Sequence, residues 1–119
     1  MTVQHVYSPS VIAPERKANV RDGKGELLQH ALLESPVKSS VFAAMSVMTI
    51  PPGASIGVHV HEHEEEAYVV IAGAGVYTSD EGEHRVGPGD IALCFKGERH
   101  GIANTGETDM IMAGILGKR

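Results

Sequence analysis

The sequence predicts an all-β protein, an antiparallel sandwich or closed barrel, and three observations predict it. After residue 40, segments rich in Val, Ile, Met and Phe recur at roughly 8 to 12 residues, each closed by Gly, Pro or Asp. No stretch in that region carries a long helical period. Fourteen glycines and six prolines are spread along the 119 residues rather than clustered, as many short strands joined by tight turns require.

The elements follow in order. Residues 1–20 show no sustained period, and Pro9 and Pro14 interrupt any helix, so about the first 25 residues read as an N-terminal arm. Asp22-Gly23-Lys24-Gly25 is a turn. Glu26 to Glu34 fits a strand or a short helix, and Pro36 ends it. Val41 to Ile50 has no breaker and reads as a buried strand closed by Pro51-Pro52-Gly53. Ile56 to His61 and Ala67 to Ala72 are strands flanking an acidic loop. A bend at Gly73 and Gly75 leads into Val76 to Ser79, and Asp80-Glu81-Gly82 forms a hairpin turn into Glu83 to Val86. Gly87-Pro88-Gly89-Asp90 turns the chain into Ile91 to Phe95, and Lys96-Gly97-Glu98 into His100 to Asn104. Asp109 to Leu116 is the last long strand. No repeat, low-complexity segment or linker divides the chain, so residues 1–119 are read as one domain.

Composition narrows the function. With 4% aromatic residues and no Trp, aliphatic side chains and Met must do most of the packing; Met45, Met48, Met110 and Met112 are core filler or barrel lining. A net charge of −5 argues against a nucleic-acid partner, which demands a basic face. No apolar run reaches membrane length, and Met1 to Ser10 lacks the basic and apolar regions of a signal peptide. The single cysteine, Cys94, excludes an intramolecular disulfide and reads as a buried small hydrophobe. These features point to the cytoplasm.

Of the seven histidines, three crowd into His59-Val60-His61-Glu62-His63. Alternate residues of a strand share a face roughly 6.5–7 Å apart. Two imidazoles so placed can converge on one ion about 2.0–2.2 Å from each nitrogen. Glu62, Glu64, Glu65 and Glu66 follow at once. Such a run is ordinarily a solvated loop, but one member has a better claim.

The wider spacing is informative. Gly53 is followed after five residues by His59, then His61; four residues lead to Glu66 and six more to Gly73. Later, five residues separate Gly89 from Phe95; Gly97, His100 and Asn104 follow with one, two and three residues between. Nine positions thus match the two motifs of the cupin family, Gly-x5-His-x-His-x3–4-Glu-x6-Gly and Gly-x5-Pro-x-Gly-x2-His-x3-Asn. The chain resembles a small single-domain cupin over about residues 41 to 116, with the short inter-motif spacing of Ala74 to Pro88. Phe95 departs from the pattern by standing where the family has proline, which is expected to relax the loop before His100.

The resemblance implies a cupin-type antiparallel β-barrel or jelly roll of six to eight strands. It implies one divalent transition metal ion (Mn, Fe, Ni, Co, Cu or Zn) on His59, His61, Glu66 and His100. His59 and His61 would point inward from one strand, Glu66 from the next, and His100 from a strand across the barrel. Glu65 is the alternative register; Glu66 is preferred because it leaves six residues to Gly73 and shares strand parity with Tyr68 and Val70. His63 reads as loop, and His5, His30 and His84 as surface or structural. The implied functions are a metalloenzyme acting on a small oxygen-rich molecule by Lewis-acid or dioxygenase chemistry, or a non-catalytic binding or sensing domain. An enzyme would place an acid or base such as Tyr68, Glu64 or His63 near the metal's open positions. No catalytic residue is assigned. Family resemblance also implies a homodimer.

Overall fold

The structure is a computed structural model describing residues 6–10, 12–33 and 39–118. Its strands are β1 (Glu15–Ala18), β2 (Glu26–Leu33), β3 (Phe42–Ile50), β4 (Ser55–Val60) and β5 (Glu65–Ala72). They continue as β6 (Gly75–Ser79), β7 (Gly82–Val86), β8 (Ile91–Cys94), β9 (Arg99–Ala103) and β10 (Met110–Gly117). A single 3-10 turn at Val20–Asp22 is the only helical element among the described residues. The all-β class is as expected.

The strands form two antiparallel sheets, as a jelly roll does, and among the described residues they number ten where the resemblance implied six to eight. One sheet runs β1-β2-β3-β10-β5-β8 and the other β4-β9-β6-β7. Two extra strands come from the N-terminal region. Glu26–Leu33, open between strand and helix in the sequence, pairs with β3 as a strand. β1 pairs with β2 although the arm showed no period, because Glu15, Arg16, Lys17 and Ala18 are all exposed on an edge strand and have no buried face to mark. His5, Glu34 and Pro36 lie outside the described residues.

Strand parity builds the core. Along β10, Met110, Met112 and Gly114 are buried and alternate with half-buried Ile111, Ala113 and Ile115. The register pairs Met112 with Met48 on β3 and with Val70 on β5, and all three are buried. Ile56, Tyr77 and Ile102 join the same cluster from the four-stranded sheet. Met48, Met110 and Met112 are therefore core filler, while Met45 falls by parity on the outer face.

Two glycines let the polypeptide close around the site. Gly73 turns β5 into β6 with φ +77, a left-handed conformation in which a side chain is strained. Gly57, in the middle of β4, lies against the Val20–Asp22 turn so closely that a Cβ there would collide with the Arg21 carbonyl.

Candidate metal centre

His59 sits near the end of β4 and His61 just beyond it. His100 lies on β9, the strand hydrogen-bonded to β4, with His59 and His100 as direct partners in the register. Glu66 comes from β5 in the opposing sheet. The expected placement is thus corrected: His100 is beside His59 in the same sheet, and Glu66 reaches across from the other. Two imidazoles can meet this way because β4 shifts register between Ile56 and His59.

The four side chains converge. Nε2 of His61 lies 3.2 Å from Nε2 of His59, 3.0 Å from Nε2 of His100 and 3.0 Å from Oε1 of Glu66. Glu66 Oε1 is also 3.2 Å from Nε2 of His100, and one ligand atom from each residue lies within 4.8 Å of the others. Donors at right angles around an ion with bonds of roughly 2.1 Å stand about 3.0 Å apart; tetrahedral donors stand about 3.4 Å apart. The four separations of 3.0–3.2 Å are of the size that donors sharing one ion would show.

Hydrogen bonds outside the cluster set the orientation of its rings. His59 Nδ1 lies 2.7 Å from the Gly57 carbonyl and donates to it, which leaves the Nε2 lone pair facing the centre. His100 Nδ1 is 3.1 Å from the Tyr77 hydroxyl. Tyr68 stacks on the His100 ring, with centroids 4.6 Å apart and planes at 16°. His61 Nε2 carries at most one proton, yet it faces three acceptor-capable atoms. Such a gathering repels itself unless a cation sits within it. Three imidazoles and a carboxylate suit a first-row transition metal, so the donor set fits the implied ion.

Burial grades across the cluster. His100 is fully enclosed, His61 is 6% exposed and His59 is half-buried. The pKa of His59 is held below its ordinary 6.5, chiefly by burial and further by the nearby positive charges of His100 and Arg21. Burial, with the Glu66 charge second, pushes the Tyr68 phenol well above its ordinary range, and burial also raises Tyr77. Both phenols stay protonated. Cys94 is buried, its thiol pushed up to about 11 by desolvation and by the charges of Glu98 and Glu66.

Other expected positions fall outside the cluster. His63 and Glu65 are exposed, and neither they nor Glu62 and Glu64 bring a ligand atom to the centre. His84 is exposed on β7, and His30 is half-buried on β2. Asn104, last residue of the second motif, has a structural task. Its Nδ2 donates to the Ile50 and Thr108 carbonyls at 2.8 Å each, and its Oδ1 accepts from Gly106 N at 2.9 Å. The loop after Phe95 is not relaxed. Phe95 N–H, which proline would lack, donates to Glu98 Oε1 at 2.7 Å, and Gly97 N–H donates to the His61 carbonyl at 2.7 Å. Tyr77 and Arg21 were missed as contributors to the site. Tyr77 carried one faint signal, its inward parity between Gly75 and Ser79; Arg21 carried none.

Comparison with known proteins agrees with this architecture. The cupin domain family matches residues 46–116. The oxalate-binding protein of Thermotoga maritima is 36% identical over 111 residues, covering 93% of this chain and 92% of the relative. A crystal structure of a predicted oxalate decarboxylase from Thermotoga maritima superposes with a TM-score of 0.92 at 35% identity, covering 97% of this chain and 100% of that one. An uncharacterised Klebsiella pneumoniae protein with a double-stranded β-helix domain gives a TM-score of 0.73 at 25% identity, over 98% and 91% of the two chains. With the family matched over more than half of its length and a 36% identical relative along nearly all of it, the chain belongs to the cupin family.

Proposed function

We propose that His59, His61, Glu66 and His100 bind one divalent transition metal ion, and that the ion's remaining positions take a small oxygen-rich anion, a dicarboxylate of the oxalate type. The convergence of three imidazole nitrogens and one carboxylate oxygen carries this reading. Four protein donors leave room for a chelating ligand on an ion that accepts six. The relative named for oxalate binding supports the choice of anion.

Of the acids and bases expected near the metal in an enzyme, His63 and Glu64 bring no ligand atom to the cluster, and only Tyr68 stands against it, stacked on His100; with so few titratable groups there, binding is the first reading. One observation favours a catalytic reading: the Tyr68 phenol, kept protonated beside Glu66, is a proton source within the site. In that reading the bound metal supplies Lewis acidity, or a place for dioxygen if it is iron or manganese. Tyr68 then holds the proton that a decarboxylated product would need.

The chain is read as one domain acting as a homodimer in a reducing, cytoplasmic compartment, consistent with its free Cys94. The outer face of the six-stranded sheet supports the dimer. By parity it carries Met45, Val47, Val69, Ile111 and Ile115, where a solvated sheet face would be polar. His30, paired with Val47, has a buried Nδ1 with no hydrogen-bond partner among the described residues.

Calorimetric titration of oxalate into metal-loaded and chelator-treated protein tests the reading. Binding only to the loaded form is expected, and equal affinity for both forms, or none for either, contradicts it. Gas release from oxalate in the loaded sample would favour turnover.

A further inference from the structure

β4 departs from regular pairing just before its first donor. Between the Ile56–Ile102 and His59–His100 pairs it carries two residues, Gly57 and Val58, where β9 carries one, Gly101. Such a bulge bends its strand and leaves backbone outside the ladder. The Gly57 carbonyl, in this bulge, lies 2.7 Å from His59 Nδ1 and takes its proton. The aim of the His59 ring thus depends on a short irregular stretch of backbone, which has to be held still by something other than the sheet.

What holds it is the turn between β1 and β2, residues 19–25, upstream of both sequence motifs. Asn19, Arg21 and Asp22 adopt left-handed backbone conformations there, with φ of 52°, 52° and 64°. Non-glycine residues visit this region singly and rarely, and a group of them persists only where the surroundings enforce it. Asn19 N–H donates to the Gly25 carbonyl at 2.9 Å, Asn19 Nδ2 donates to the Gly23 carbonyl at 3.1 Å, and Val20 packs on the core. Ser55, at the start of β4, ties the turn to the strand. Its N–H donates to the Lys24 carbonyl at 2.8 Å, and its Oγ accepts from Lys24 N–H at 2.9 Å. Beyond Ser55 the contact is backbone on backbone. A Cβ on Gly57 would collide with the Arg21 carbonyl, and a Cβ on Gly23 would collide with the Ser55 carbonyl and stand 2.8 Å from Gly57 N.

We propose that this turn is a positioning element of the metal centre, with Gly23 and Ser55 as its positioning residues. The proposal rests on the metal reading above. By clamping the bulge, the turn keeps the Gly57 carbonyl on His59 Nδ1, fixes the proton there and leaves Nε2 bare toward the other three donors. A histidine without such a contact prefers to carry its proton on Nε2, the nitrogen that a metal needs free. Gly23 and Ser55 bring no atom to the cluster and act through Gly57 and His59.

The test compares wild type with Gly23→Ala, Ser55→Ala and Ser55→Thr, which keeps the hydroxyl. Val86→Ala is the control, a core truncation on β7, at the edge of the four-stranded sheet opposite β4. Nitrogen NMR of the imidazole rings in metal-free protein at pH 8 reports which nitrogen of His59 carries the proton. Cobalt(II) affinity is read by competition with a chromogenic chelator. The expected result is an Nδ1-protonated His59 in wild type, Ser55→Thr and Val86→Ala, and a mixture of tautomers in Gly23→Ala and Ser55→Ala. Cobalt affinity should fall about 10-fold in those two variants and stay at the wild-type level in the others. If Gly23→Ala fails to fold, Ser55→Ala against Ser55→Thr decides. Wild-type tautomer and affinity in the turn variants overturn the proposal. An equal loss of affinity in Val86→Ala also overturns it, by showing that metal binding follows overall stability. A wild type that binds no cobalt overturns the metal reading and this proposal with it, whereas unchanged turn variants beside a cobalt-binding wild type overturn this proposal alone.

Discussion

The hydroxyl of Tyr77 stands 3.1 Å from Nδ1 of His100, on the edge of the ring opposite the nitrogen that faces the cluster, and 3.4 Å from the Leu93 carbonyl. The pair defines a short chain in which His100 Nδ1–H donates to the phenol and the phenol donates to the backbone. That arrangement leaves Nε2 bare for a metal. Since the raised pKa keeps Tyr77 neutral, the contact orients the ring without adding charge.

Tyr77→Phe removes the oxygen and keeps the ring. Metal affinity, measured by competition with a chromogenic chelator, is expected to fall about 10- to 100-fold. The metal-free protein should lose only about 1 kcal/mol in denaturant unfolding. Unchanged affinity would show that Tyr68 stacking alone orients His100.

Gly57→Ala should cost about 1–3 kcal/mol of stability, because the new methyl group meets backbone of the Val20–Asp22 turn, which has little freedom to move. Gly87→Ala is the control. Nothing lies within 4 Å of a Cβ at that position, so a change within about 0.5 kcal/mol is expected. Urea unfolding of the two variants checks both figures; equal effects would mean that the turn is not docked on β4.

Cys94 should be inert to iodoacetamide at pH 8. A thiol with its pKa at about 11 is only about 0.1% thiolate at that pH, and the side chain is buried as well. The sign follows from desolvation, which disfavours the anion, so reactivity should climb as pH rises toward 11 and not before. Rapid labelling of the folded protein at pH 8, followed by mass spectrometry, would contradict this.

The outer apolar face predicts a dimer. Light scattering should return twice the 12.6 kDa of one chain, and Val47→Glu should shift the protein to a monomer by placing an unpaired charge in the contact. A wild-type mass of a single chain would refute the assignment.

Much of the fold was legible where burial is one-sided. The alternation of Met110, Met112 and Gly114 with Ile111, Ala113 and Ile115 marks β10 directly. Parity with Tyr68 and Val70 selects Glu66 over Glu65, and the structure places Glu66 in the cluster while Glu65 is exposed. The illegible parts have a common physical origin in long-range pairing. β1 buries no face, so no period announces it. The pairing of His59 with His100 depends on a register shift in β4 that no local pattern encodes. Tyr77 and Arg21 act through partners 23 residues away in one case and on a neighbouring strand in the other. Spacing picks out the four residues that cluster, but it does not find what orients them.

The central claim is that four side chains hold one metal ion. Elemental analysis of protein purified without an affinity tag, alongside His59→Ala combined with His61→Ala, tests it most directly. The account predicts close to one transition-metal ion per wild-type chain and almost none in the double variant, with the β-sheet circular dichroism of both unchanged. Trace metal at the same level in both proteins would contradict it.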